Sequence, residues 1–164
     1  MKSQIILCSG GARSGKSEFA ERLALATEGR KAYVATGQAF DEEMIDRIKK
    51  HQERRGEIWN NFEVPLHLAK EWQNISQTAD VILIDCLTMF TTNHMMAHGS
   101  IQGQQDANQL EATVLTELET LLASIKSCEG KTVIFVTNEI GLGIVPDNKL
   151  ARYFRDIAGR VNRT

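Results

Sequence analysis

"QIILCSGGARSGKS", residues 4–17, joins a β-branched apolar run to a complete GxxxxGK[ST] pattern. The run 4–9 reads as a strand ending at Ser9, and a helix follows from about Lys16. Glycines in such a loop let the backbone turn and aim successive N–H groups at phosphate oxygens. Gly10, Gly11, Ala12, Arg13, Ser14 and Gly15 form the cradle, Lys16 reaches the outer phosphates, and Ser17 is placed to bind Mg²⁺. The strand before and the helix after are the context the motif requires. The reading is a P-loop nucleotide-binding domain.

Three more apolar runs follow: "KAYVAT" (31–36), "DVILID" (80–85) and "KTVIFVT" (131–137). Their apolar character is continuous rather than alternating, as expected of parallel strands covered on both faces. Helical patterns lie between them. "SEFAERLALATEG" carries Phe19, Ala20, Leu23 and Ala24 on one stripe and stops at Gly29. "DEEMIDRIKKHQERRG" carries Met44, Ile45 and Ile48, with Asp41 as N-cap and Gly56 as the stop. Pro65 opens a short helix through Trp72, and a long helix spans about 106–127. "DNKLARYFRDIAGRV" places Leu150, Phe154, Ile157, Ala158 and Val161 on one face, and 98–109 reads as a polar loop. Strands alternating with helices give an α/β domain with a mainly parallel sheet flanked by helices.

The bulk numbers agree with one such domain. There are 164 residues, 42% apolar and 24% charged, with a formal net charge of −2. That charge supplies no general pull toward nucleic acid. No apolar run reaches the length of a membrane span, and the N-terminal apolar stretch is too short for a secretory leader. Cys8, Cys86 and Cys128 include no CxxC, which reads as buried, reduced thiols in the cytoplasm.

A P-loop needs a second acid near its metal. Asp85 ends a hydrophobic strand and fits that place. Ligands of open α/β sheets bind at the carboxyl ends of the strands, so topology sets Thr36, Asp85 and Asn138 near the phosphates. No NKxD motif is present to specify a guanine base.

"RIKKHQERRG" (47–56) holds a histidine among charges. On a helix, Arg47, His51, Arg54 and Arg55 share one face. The guanidiniums suit a polyphosphate, and neighbouring cations favour the uncharged imidazole that a nucleophile needs. From spacing alone, a solvated helix face is the favoured reading of the stretch. His94 and His98 stand at i, i+4, half of a metal site with no third ligand nearby, and His67 has no partner in the pattern. These motifs leave three readings open. One is a nucleotide-using enzyme whose 41–55 helix binds phosphate and carries a histidine nucleophile. Another is a single-function P-loop kinase of a small molecule. The third is a RecA-like ATPase that binds nucleic acid or a protein partner, disfavoured by the low charge and the lack of a basic–aromatic stripe.

Taken together, "GGARSGKS" (10–17), "YVATG" (33–37), "DEEMIDRIKKHQERRGEIWNNFE" (41–63), "VILIDCLTMFTTN" (81–93) and "VTNEIGLGIVPDNKLARYFRDIAGRVN" (136–162) resemble one family. It is the bifunctional adenosylcobinamide kinase / adenosylcobinamide-phosphate guanylyltransferase family of cobalamin biosynthesis. The resemblance implies a RecA-like P-loop domain, assembled as a homo-oligomer, a trimer being one arrangement. It implies phosphorylation of adenosylcobinamide by ATP or GTP. GMP then passes from GTP to adenosylcobinamide phosphate through a GMP–histidine intermediate, and pyrophosphate leaves. The family's histidine aligns with His51. Nucleotide contacts carry over to Gly10–Ser17, to Ala35, Thr36 and Gly37, to Gln52, Glu53, Arg54 and Arg55, and to Glu63 and Asp85. Ser17 and Asp85 carry over as Mg²⁺ ligands, and "NEIGLGIVP" (138–146) as a loop near the site.

Gly56 stands where the family often has proline, Lys50 where a second histidine can occur, and Asp85 where some members have glutamate. Family members run about one strand further, with an apolar "VxxVxxG" segment. The resemblance therefore implies that this last strand is missing after "GRVNRT" and that a sheet edge is left open.

Overall fold

The computed structural model describes residues 1–39, 41–140 and 145–164. In chain order the elements are β1 (Gln4–Gly10), α1 (Lys16–Ala26), β2 (Lys31–Ala35), α2 (Glu42–Arg55), β3 (Trp59–Glu63), α3 (Leu68–Thr78), β4 (Val81–Asp85), α4 (Leu87–His98), α5 (Gln104–Ser127), β5 (Thr132–Asn138) and α6 (Lys149–Arg163). A 3₁₀ turn, Gly56–Ile58, joins α2 to β3. The five strands form one sheet in the order β1-β5-β4-β2-β3, and every pairing is parallel. The expected α/β class and parallel sheet are found.

Side-chain alternation shows why the strands read as unbroken apolar runs. On β4, Val81 and Leu83 pack with Ala20 and Ala24 of α1, while Ile82 and Ile84 pack with α3, α5 and α6 on the other face. Leu110, Val114, Leu118, Leu121 and Ile125 make the buried stripe of α5. Both sheet faces are thus dry in the middle strands, where each buried Leu or Ile contributes about 1.5–3 kcal/mol. β1 is an edge strand, and Ile5 and Leu7 on it remain exposed.

Several boundaries differ from the sequence expectation. A fifth strand, β3, pairs with β2 although its "WNNFE" carries two exposed asparagines. Pro65 does not open α3: the helix starts at Leu68 and runs past Trp72 to Thr78. α1 ends at Ala26 rather than Gly29, because Thr27 is extended and its hydroxyl donates to Leu23 O at 2.9 Å. Phe19, assigned to the apolar stripe of α1, is exposed, as is Leu150 on α6. The polar loop shrinks to 99–103, since 104–109 already belongs to α5. Asp106 Oδ2 fixes that start by accepting from Gln102 N at 2.8 Å. α4 has no counterpart among the expected helices. The ends of α2 are as expected: Asp41 Oδ1 accepts from Met44 N at 2.7 Å, and Gly56 closes the helix at φ 65°, a left-handed geometry that favours glycine.

At the amino ends of the strands, Asp80 is a fastener. It accepts from Arg30 Nε at 3.0 Å and from Lys131 Nζ at 3.2 Å, joining the residues that precede β2, β4 and β5. Arg30 and Lys131 hold its carboxyl well below the usual carboxylate range.

Candidate active site

The parallel order brings the carboxyl ends of β1, β2 and β4 to one side of the sheet. There the chain leaves β1 at Gly10, turns through the glycine loop and enters α1 at Lys16. Gly15 caps α1 at φ 84°, where a Cβ would be strained, and Arg13 is also left-handed at φ 55°. The first amides of α1 point into the open space above the sheet, a ready anion site. Lys16 Nζ donates to Gly11 O at 3.0 Å.

That space is a cleft of about 740 Å³. The P-loop lines one wall with Arg13, Ser14, Gly15, Lys16 and Ser17. The strand ends supply Ala35, Gly37 and Asp85. The facing wall is α2, through Arg47, His51, Gln52, Arg54 and Arg55. The four-residue helix face inferred from spacing therefore does look onto the phosphate loop. His51 is exposed and has no hydrogen-bond partner among the described residues, so its imidazole is free to meet a ligand.

No residue of α2 is fully buried; Met44, Ile48, Gln52 and Arg55 are half-buried where the helix faces the cleft. Arg54 Nη2 donates to Glu21 Oε2 on α1 at 3.1 Å, tying it to the P-loop helix. Arg55 lies 3.4 Å above the centroid of the Tyr33 ring. Its Nε and Nη1 are buried without a hydrogen-bond partner among the described residues. Tyr33 Oη donates to Asp85 Oδ2 at 2.6 Å. Burial and the Asp85 carboxylate push the Tyr33 hydroxyl far up, so it stays protonated. Tyr33 also meets Trp59 edge-to-face, with centroids 6.0 Å apart.

Not every expected contact lines the cleft. Thr36 does not: it is fully buried and its polar atoms are all engaged. Its Oγ1 accepts from Cys86 N at 2.8 Å and donates to Cys86 O at 2.7 Å, its N donates to Asp85 O at 3.0 Å, and its O accepts from Asn93 Nδ2 at 2.6 Å. The residue fastens the end of β2 to the turn after β4. Gly10, Gly11, Ala12, Glu53 and Glu63 are not among the residues that line the cleft. Asn138 lines a separate groove beside α6, and its N donates to Thr88 Oγ1 at 2.8 Å. Residues 141–144 of the expected site loop lie outside the described residues.

The cleft also holds residues that the motifs did not single out: Tyr33, Glu21, Asn61, Phe62 and Met89. Of the other histidines, His94 is buried, with Nε2 3.2 Å from Leu66 O and its ring edge-on to Phe90. Burial pushes its pKa down. Its place is structural. Cys8 and Cys86 pack in the core beside α1.

For a metal, the cleft offers oxygen donors: the Ser17 hydroxyl and the Asp85 carboxylate. That hard, sparse set suits Mg²⁺, which keeps waters and binds phosphate oxygens alongside one or two protein groups. Tyr33 occupies one Asp85 oxygen and leaves the other available.

Comparison with known proteins bears on the same residues. A sequence model described as "Cobinamide kinase / cobinamide phosphate guanyltransferase" matches residues 6–164. The Bifunctional adenosylcobalamin biosynthesis protein CobU of Escherichia coli K12 is 40% identical over 161 residues, covering 97% of this chain and 88% of that protein. CobU of Salmonella typhimurium LT2 is 42% identical over 164 residues with the same coverage, and CobP of Pseudomonas aeruginosa PAO1 is 40% identical over 153 residues, 93% of this chain and 82% of its own. Among solved structures, a type III secretion system ATPase superposes with a TM-score of 0.63 at 14% identity. This chain spans 98% of its own length there and 48% of the ATPase, a likeness of fold alone. By the family match and the shared length, the chain belongs to the cobinamide kinase / cobinamide phosphate guanyltransferase family.

Proposed function

We propose that this transferase carries out both family reactions in the single cleft between the P-loop and α2, with His51 as the residue that carries GMP. The observation that supports this reading most is the placement of His51: an exposed imidazole, without a hydrogen-bond partner among the described residues, in the same cleft as Lys16 and Ser17. In the kinase step, the P-loop amides and Lys16 hold a nucleoside triphosphate while the acceptor hydroxyl attacks the γ-phosphorus. A new P–O bond forms, the β–γ bridging P–O bond breaks, the nucleoside diphosphate leaves with the electron pair, and the hydroxyl proton passes to solvent. In the second reaction an imidazole nitrogen attacks the α-phosphorus of GTP. A P–N bond forms, the α–β bridging P–O bond breaks, and pyrophosphate leaves with the electron pair. A phosphate oxygen of cobinamide phosphate then attacks the same phosphorus. The P–N bond breaks and its electron pair returns to the imidazole.

Arg47, Arg54 and Arg55 face the developing negative charge, the part of phosphoryl transfer that a protein most directly stabilises. Mg²⁺ held by Ser17 and Asp85 would neutralise phosphate charge in both steps. The family likeness supports ATP or GTP as kinase donor, and a cytoplasmic homo-oligomer, whose mass light scattering would read directly.

The test is to incubate the purified chain with Mg²⁺ and GTP labelled at the α- or the γ-phosphate, then denature it. Covalent α-label, labile in acid and stable in alkali, supports the reading when His51→Asn abolishes it. Retention of γ-label alone points to a phosphohistidine instead, and no covalent label from either contradicts the guanylyltransferase mechanism.

A further inference from the structure

We infer that Tyr33 is a positioning residue which sets the Asp85 carboxylate and the Arg55 guanidinium in place before substrate arrives, through two different parts of one side chain. The inference rests on the cleft being the Mg²⁺–nucleotide site argued above.

Three observations carry it. Tyr33 Oη donates to Asp85 Oδ2 at 2.6 Å, a short charge-assisted bond that restrains the carboxylate of a residue lining the cleft. Arg55 stacks on the same ring at 3.4 Å, which orients the guanidinium through its face rather than through its N–H groups. Its Nε and Nη1 stay unpaired although buried in the cleft wall.

Buried donors without partners are rare and unfavourable, so a site that keeps two of them holds them for a ligand acceptor. Had a carboxylate positioned Arg55, its donors would be used up. A ring positions it without using them, so a small shift of the guanidinium can bring them to an acceptor among the phosphates. The acceptor chemistry is an oxygen-rich anion, here a phosphate of the bound nucleotide. The ring is itself fixed by Trp59 and by burial.

The hydroxyl and the ring therefore have separable effects. The hydroxyl acts through Asp85 on the metal side. The ring acts through Arg55 on the anion. Tyr33→Phe removes only the first, and Tyr33→Leu removes both.

The experiment measures the affinity of a fluorescent GTP analogue, with Mg²⁺ and separately with EDTA, for the parent chain and for Tyr33→Phe, Tyr33→Leu and Arg55→Ala. Unfolding midpoints are recorded beside them. Tyr33→Phe is expected to bind about tenfold more weakly with Mg²⁺ and within about twofold of the parent in EDTA. Arg55→Ala is expected to lose about tenfold in both conditions, and Tyr33→Leu about tenfold in EDTA and about 100-fold with Mg²⁺, where the two effects add in free energy. A Tyr33→Phe variant unchanged in Mg²⁺, or weakened equally in both conditions, overturns the inference, the second outcome being that of a merely structural tyrosine. A parent chain whose GTP binding Mg²⁺ does not strengthen contradicts the site reading itself, and the inference with it.

Discussion

Arg54 and Glu21 meet across the cleft at 3.1 Å, and through that contact the helix bearing His51 is fastened to the helix that follows the P-loop. α2 has no fully buried residue, so its placement depends on a few contacts, this ion pair and the stacking of Arg55 on Tyr33 among them. Glu21→Gln should therefore change stability by less than about 1 kcal/mol, as expected for a half-exposed ion pair. It should slow GMP transfer about tenfold, because small misplacements of a reacting group are costly. Thermal unfolding and single-turnover labelling on the same sample separate the two effects.

Lys16 presently donates to Gly11 O, a bond that a phosphate can replace without loss. Lys16→Ala should lower both reactions about 100-fold or more, since it removes a charge aimed at the transferring groups. The unfolding midpoint should move little, because the side chain, at the start of α1, makes one hydrogen bond, to Gly11 O. Steady-state rates of kinase and guanylyl transfer, measured side by side, check this.

His51→Asn should divide the two activities. GMP transfer is expected to vanish, because no nitrogen nucleophile remains at that position, while kinase turnover stays measurable. Loss of both reactions to the same degree would mean that His51 serves binding rather than group transfer.

Thr36→Val keeps the shape of a fully buried residue and removes its hydroxyl. The Cys86 amide and carbonyl then lose their partner at the end of β4. A buried donor left unpaired costs about 2 kcal/mol, visible as a lower midpoint in chemical denaturation with an unchanged slope.

The acid limb of stability should carry the mark of Asp80. Arg30 and Lys131 depress its carboxyl in the folded state. Its contribution is fully present above the ordinary value of 3.8 and is lost as pH falls below that towards the folded value. Asp80→Asn should therefore be less stable near neutrality and show a flatter decline below that pH, read from urea midpoints between neutral and strongly acid solution.

The P-loop, the acid at the end of β4 and the helix face of His51 were legible because each is a local pattern. The motif spans adjacent residues, and a helix places i, i+4, i+7 and i+8 together whatever surrounds it. β3 was not legible: as an edge strand with only Trp59 buried, it has no apolar run to announce it. α4 was missed because its apolar residues are spread around the helix, leaving no clear stripe to set a period. Tyr33 was hidden for a different reason. Its link to Asp85 exists only because β2 and β4 are neighbours in register, with Ala35 opposite Asp85, and strand order is not written in either segment. Thr36 shows the converse error. Topology sets it at the correct end of the sheet, but burial spends its polar atoms on Cys86 and Asn93.

The measurement closest to the central claim is the identity of the residue that acquires GMP. The chain is incubated with Mg²⁺ and GTP, digested under alkaline conditions, and the peptides around α2 are fragmented in a mass spectrometer. The account predicts a GMP adduct on His51 and none in His51→Asn. An adduct on Lys50 or Lys16, or an unmodified His51 in a chain that still transfers GMP, would contradict it.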